Sequence, residues 1–317
     1  MTRKEVLTEI RNILINIGFS VSEPHSMRSI SFDLVAKRDD VLLIIKALGN
    51  VDAFNKENAK ELQILANLLQ GSPFIIGAKS STSEIEDGVV YFRYGIPIIS
   101  MGTFKDFFVE EVPPFVFAAP GGLYVHIDGK LLRSIRENNQ LSLGSLAEIA
   151  KVSRRSIQLY ESGMGAMVDA ALRIEEFINT PIILPINPLM CYAKTDEETD
   201  QWIDSFEKFE GLEKDIFRRL KVLGYNIMPT EKSPFDALTK DTKTLILTSV
   251  EHYDGTLAKR AKVVTNISKV IERHSVIFVE KSRKTSLEGA PLIDRNELKN
   301  IDDSERIIEL ILERKGK

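Results

Sequence analysis

The 317-residue sequence predicts two outer α/β domains of duplicated design, each a mixed sheet flanked by helices, with an all-α domain inserted between them. Three observations carry that prediction. Short apolar runs of strand length alternate with amphipathic stretches of helical spacing towards both ends of the chain. The two ends align with each other without a gap over their central part. The middle shows apolar residues at helical spacing in short bursts.

Two Pro-rich stretches, VPPFVFAAPGG over 112–122 and TPIILPINP over 180–188, place breaker residues between the periodic segments. They divide the chain into residues 1–119, 124–189 and 200–317. The second is followed by the acidic run KTDEETD from Lys194. Both stretches are too apolar for free linkers and are expected to pack on their neighbours.

A composition of 43% hydrophobic and 28% charged residues is that of an ordinary globular protein. A chain this long needs no disulfide or metal to fold. Its one cysteine, Cys191, excludes an internal disulfide and a Cys-rich zinc site, and is expected to be a packed thiol. Histidines 25, 126, 252 and 274 are too scattered for a His-based metal site. No cofactor is implied. No apolar run approaches the ~20 residues that cross a bilayer. The opening MTRKEVLTEIRNIL reads as an amphipathic helix, not a signal peptide, so a cytoplasmic protein without a membrane partner is expected. A net charge of −4 is not that of a chain that coats nucleic acid.

The first outer segment opens with a helix ending in Ile17-Gly18-Phe19, and the last with a helix over 212–223 ending in Gly224-Tyr225. Each glycine suits a C-terminal cap, with a strand after it. FDLVAKRDDVLLIIKA from Phe32 and FDALTKDTKTLILTSV from Phe235 then align at an offset of 203. Both read as β-hairpins, with polar turns at Arg38-Asp39-Asp40 and Asp241-Thr242-Lys243. The same offset relates amphipathic helices over 56–69 and 257–271, then apolar strands from Ser72 and Ser275. GIPIIS at Gly95 and GAPLID at Gly289 each lead into a short helix. The repeated order is helix, strand, strand, strand, helix, strand, strand, helix. The acidic clusters Glu84–Asp87 and Asp196–Asp200 read as solvated loops. SERIIELILERKGK reads as a closing amphipathic helix from Ser304.

This order resembles the restriction-endonuclease-like fold. Its working motif is an Asp at one strand, then Glu-x-Lys on the next, which converge across a hairpin to hold a divalent metal and steady the attacking water. The resemblance maps the Asp onto Asp33 and Asp236, the Glu onto Ile44 and Leu247, and the Lys onto Lys46 and Ser249. Apolar side chains cannot ligate a hard cation. Both copies therefore read as non-catalytic, with Asp33, Lys46 and Asp236 as vestigial positions and no metal. A residual site would need Asp33 with Glu5 or Glu9. The first copy holds 15 acids against 12 bases over residues 1–119, which disfavours a non-specific DNA groove.

Residues 129–179 place apolar side chains at Leu131, Leu132, Ile135, Leu143, Leu146, Ala147, Ile157, Tyr160, Ala170, Ala171 and Ile174. Ser142 and Ser153 supply N-caps for two short helices joined by a tight turn at Lys151-Val152. Ala147 and Ile157 face the crossing, and Val152 plugs the turn. That leaves Arg154, Arg155 and Gln158 outward, with Lys151 and Ser153 beside them. Arg matches guanine O6/N7 and Gln matches adenine N6/N7 in a major groove. No acid lies between Glu148 and Glu161, although residues 124–180 carry 7 bases and 7 acids.

Leu143–Ser162 resembles the lambda-repressor/Cro type of helix-turn-helix, most closely in VSRRSIQLYESG from Val152. That family usually has Gln where this chain has Leu143, and Gly at the turn where it has Lys151. The whole arrangement resembles a family of archaeal transcriptional regulators. The resemblance implies a non-enzymatic, sequence-specific protein that binds double-stranded DNA as a homodimer. Arg154, Arg155, Gln158 and Ser153 would read bases, and Lys151, Arg133 and Leu143 would border the phosphates. A small-molecule effector stays open. The rival readings are a metal-dependent DNA nuclease targeted by the insert, and a protein-interaction scaffold.

Overall fold

The computed structural model describes residues 2–24, 30–192, 209–252 and 256–315. His25 and the acidic cluster Asp196–Asp200 lie outside them. Chain contacts gather the residues into two units: Met1–Lys46 with Asn55–Ser72 and Lys194–Lys317, and Ala47–Phe54 with Pro73–Ala193.

In the first unit, Thr2 and Glu5 form a reciprocal capping box for α1 (Arg3–Asn16), which buries Leu7, Ile10 and Leu14. Gly18 takes φ 89° and the Phe19 N–H closes the helix on the Leu14 carbonyl at 2.9 Å. Strands β1 (Ser20–Val21), β2 (Leu34–Arg38) and β3 (Val41–Asn50) form an antiparallel meander. β3 runs on into the second unit from Ala47. Asn55 caps α2 (Lys56–Leu69), the amphipathic helix expected over 56–69.

The C-terminal part of this unit opens with elements in the same order. α8 (Gly211–Val222) ends at Gly224, with φ 93°, and the Tyr225 N–H reaches the Leu220 carbonyl at 3.0 Å. Strands β11 (Asn226–Pro229), β12 (Ala237–Lys240) and β13 (Leu245–Glu251) repeat the meander. Then follow α9 (Leu257–Val270), β14 (His274–Val279), β15 (Ser286–Leu287), β16 (Ala290–Asp294), α10 (Arg295–Lys299) and α11 (Ser304–Arg314). β14 pairs in parallel with β13 and β16, and β15 antiparallel with β16. Ile216, Phe217, Tyr225, Phe278 and Leu310 pack into one buried core. The hairpins keep register at the offset of 203: Leu34 faces Ile45 and Ala237 faces Thr248.

The two halves of this unit are stitched by polar contacts. The Glu61 carboxylate, buried on α2, accepts N–H bonds from Glu231 at 2.9 Å and Lys232 at 2.7 Å, and the Ser233 hydroxyl at 2.6 Å. The Ser31 N–H donates to the Lys232 carbonyl at 2.8 Å, and Lys37 pairs with Glu272.

The second unit holds β4 (Ser72–Lys79), β5 (Val89–Arg93), β6 (Ile96–Ile99) and α3 (Met101–Phe108). β5, and its counterpart β15, are strands that the sequence reading omits. Each is one arm of a hairpin with a two-residue turn, Tyr94-Gly95 or Glu288-Gly289, in which both residues take positive φ. Such turns match the twist of the flanking strands.

The expectation of an all-α insert is corrected. VPPFVFAAPGG contributes β7 (Val116–Ala119), which pairs through a Pro120-Gly121 turn with β8 (Gly122–Ile127). β9 (Ala166–Met167) and β10 (Ile183–Leu184) also pair with β8, so TPIILPINP supplies a strand as well. β5 and β7 run parallel, so the hairpin lies in one sheet with β5 and β6. The helices α4 (Gly129–Asn138), α5 (Leu143–Ala150), α6 (Arg154–Glu161) and α7 (Val168–Ile178) pack on its end through Val125, Ile127, Leu146, Ile157 and Ile174. No helix among the described residues is long and apolar enough to cross a membrane.

Candidate nucleic-acid interface

α5 and α6 are short, and each owes its start to a serine. The Ser142 hydroxyl accepts the Ser145 N–H at 2.9 Å, and the Ser153 hydroxyl accepts that of Ser156 at 3.0 Å. Between them Lys151 sits in the left-handed region, with φ 56° and ψ 43°, and the Val152 N–H returns to the Ala147 carbonyl at 3.0 Å. Ala147 and Ile157 are buried at the crossing, with Val152 packed on the same core.

The turn thus aims the first residues of α6 outward. Lys151, Ser153, Arg154, Arg155 and Gln158 are all exposed. The Ser153 hydroxyl is already engaged as the cap, and it also shares a hydrogen bond of 2.9 Å with the Ser156 hydroxyl. The Arg154 guanidinium lies against the first turn of α5: a Cβ built on Gly144 would come within 2.9 Å of its Nε. Arg133 is exposed and donates to Glu137 at 2.9 Å, a hydrogen bond that holds the Glu137 carboxyl below its ordinary value. Leu143 is half-buried. Arg133, Leu143 and Gln158 line one shallow cleft with Arg136 and Glu161.

Two supports of this face escape the sequence reading. Arg136 of α4 reaches Glu161 at the end of α6 through Nε at 2.5 Å and Nη2 at 3.1 Å, and its Nη1 donates to the Leu141 carbonyl at 3.2 Å. This pair is largely buried, with side chains 13% and 9% exposed. Gly129 lets α4 start against α6: a Cβ there would sit 2.4 Å from the Tyr160 carbonyl oxygen. Opposite charges spaced 25 apart, and a glycine in a helix start, give little sequence signal.

The left-handed turn sets up a test. Glycine adopts φ above zero without the Cβ penalty. Lys151→Gly should raise the stability of the unit by up to about 1 kcal/mol in thermal or urea melts, the relief of the left-handed strain being partly offset by the freer unfolded chain. If Lys151 borders a phosphate, the same change should lower the salt slope of DNA binding by about one.

The positions that map onto the nuclease motif lie elsewhere. Asp33 is fully buried and takes both Arg3 and Lys46, the latter at 3.2 Å. Burial holds the Lys46 ammonium below its ordinary value against the pull of Asp33. Ile44 is buried in the Glu position. Asp236 takes Arg260 at 2.5 Å and the Val250 N–H at 2.8 Å, while Leu247 and Ser249 are buried beside it. Among the described residues no group of three or more His, Cys, Asp or Glu could hold a metal ion. Cys191 donates to the Asn187 carbonyl at 3.3 Å, and burial pushes its thiol up.

Residues 3–114 match the PD-(D/E)XK superfamily domain. The whole chain is similar to a protein of Methanocella arvoryzae, 38% identical over 100% of this chain and 98% of the relative. It is 41% identical to one of Methanococcoides burtonii, over 99% and 98% of the two chains. A Pyrococcus horikoshii protein is 38% identical over the full length of both. All three carry the provisional name HTH-type transcriptional regulatory protein. At that identity and coverage, the chain belongs to this archaeal family of HTH-type transcriptional regulators.

Proposed function

We propose that the protein is a non-enzymatic regulator that binds double-stranded DNA in a sequence-specific way, with α6 entering the major groove. The single observation that carries this reading is the outward face of Lys151, Arg154, Arg155 and Gln158, exposed on a capped helix whose other side is locked into a core. Arg155 and Gln158 read base edges. Arg154 turns from Gly144 towards a base or phosphate on binding. Lys151, Arg133 and the N–H groups at the start of α6 meet the backbone. The protein acts as a homodimer, so its site consists of two half-sites about one helical turn apart.

In this reading the α/β segments, 1–119 and 200–317, are duplicated, degenerate nuclease-like modules around the helix-turn-helix segment 124–189. The common hairpin register and the paired I′-like turns support the duplication. The modules set dimer geometry or receive a signal, and no cofactor takes part.

The test is selection of a bound duplex from a random pool, followed by footprinting. A two-fold footprint is expected. The match to the PD-(D/E)XK superfamily favours a second reading, metal-dependent cleavage by the first module. Incubation of linear and branched DNA with Mg²⁺ separates the two. No cutting above background is expected, and robust cutting abolished by Asp33→Ala would assign a nuclease instead.

A further inference from the structure

One cleft of the first unit carries a charge pattern that the DNA reading does not use. The end of α2, the β12–β13 hairpin and the start of β14 enclose about 270 Å³. Three cations line it: Lys240 closes β12, Lys243 stands in the hairpin turn, and Arg273 precedes β14. The turn is fixed, because the Asp241 carboxylate accepts the N–H groups of Lys243 at 2.7 Å and Thr244 at 2.5 Å. Lys240 and Lys243 are thereby held on one wall of the cleft.

The one acid in the lining is already engaged. Glu272 pairs with Lys37, and that contact holds its carboxyl below the ordinary range. Among the described residues Lys240, Lys243 and Arg273 form no close ion pair with a carboxylate, and Arg273 adds only a weaker pull on Glu272 than Lys37 does. His274 lines the same cleft, with a buried Nδ1 that has no hydrogen-bond partner. Burial lowers the affinity of His274 for a proton, and Lys315 and Arg273 lower it further. Like charges gathered in a concave, mostly polar recess repel one another unless an anion joins them. Arginine offers paired N–H donors to a phosphate, and lysines add point charges that fit without a set orientation.

We infer that this cleft binds a small phosphorylated anion through Lys240, Lys243 and Arg273, with His274 as a further donor. Its volume suits a phosphate monoester or diphosphate better than a whole dinucleotide. Gln70 brings the end of α2 to the same ligand, so an occupied cleft would tie the two halves of this unit together.

The same phosphate chemistry could come from a metabolite or from a DNA backbone, and the experiment separates them. Pyrophosphate and ribose 5-phosphate are titrated calorimetrically into the full-length chain at low salt. Saturable one-to-one binding is expected, weakened at least tenfold in Lys243→Gln/Arg273→Gln. That variant should melt no lower than the parent, since it removes repelling charges. The charge-preserving Lys243→Arg should keep the binding. Absence of saturation at millimolar ligand, or equal affinity in the double variant, would overturn the proposal. A third titration uses the selected duplex. Its affinity should change by less than twofold in the double variant, and a parallel loss would assign the cleft to nucleic acid and remove the metabolite.

Discussion

Replacing Arg154 and Arg155 together with alanine is expected to weaken binding to the selected duplex by about 10²- to 10⁴-fold at fixed salt. Each well-placed arginine–base pairing is worth ~1–3 kcal/mol of discrimination. Both side chains are exposed and Ile157 carries the packing, so the double variant should keep the parent melting temperature. The single changes are expected to differ. Arg155→Ala should relax preference at one base position of each half-site. Arg154→Ala should cost less specificity, because the Arg154 guanidinium rests on α5 before binding. Electrophoretic mobility shifts across a salt series would separate these effects. Affinity for the duplex indistinguishable from the parent in the double variant would instead favour a protein-interaction role for the helices.

The second large effect is expected inside the fold. Arg136→Ala leaves Glu161 almost buried beside an empty space, with both carboxylate oxygens deprived of their donors. Breaking one half of a buried pair costs about 3–5 kcal/mol, and partial solvent access here reduces that to roughly 2–3 kcal/mol. For a unit of this size each kcal/mol lowers the melting temperature by about 2–4 °C. The variant should therefore melt roughly 5–10 °C lower and lose DNA binding in proportion to its unfolding. Arg136→Met with Glu161→Leu removes both charges and should recover most of the loss. Equal melting of Arg136→Ala and the parent would mean that the pair contributes nothing to the seat of α6.

The sequence carries much of this architecture because the decisive signals are local. Amphipathic spacing over 56–69 marks α2, and Ser142 and Ser153 mark the starts of α5 and α6. The polar turn at Asp39-Asp40 defines the first hairpin, and the repeat at Asp241 supports it. What stays hidden is tertiary. Tyr94-Gly95 and Glu288-Gly289 lack the Asn-Gly or Asp-Gly composition that advertises a tight hairpin, so β5 and β15 merge into loops. The prolines around β7 outweigh its β-forming residues in any local reading. The grip of Arg136 on Glu161 and the rest of Arg154 on Gly144 exist only after helices pack. For the proposed site the sequence offers candidate residues, and their engagement by neighbours appears only in the fold. Ser153 is a cap before it can be a reader, and Arg133 answers to Glu137.

The parallel pairing of Val89 with Val116 has a practical corollary. A truncated fragment starting at residue 124 would discard β7 and bare one rim of β8, a raw template for intermolecular strand addition. Such a fragment should precipitate or self-associate. The helices share one core with β8 through Val125 and Ile127, so the seat of α6 rests in part on a strand outside the helical segment.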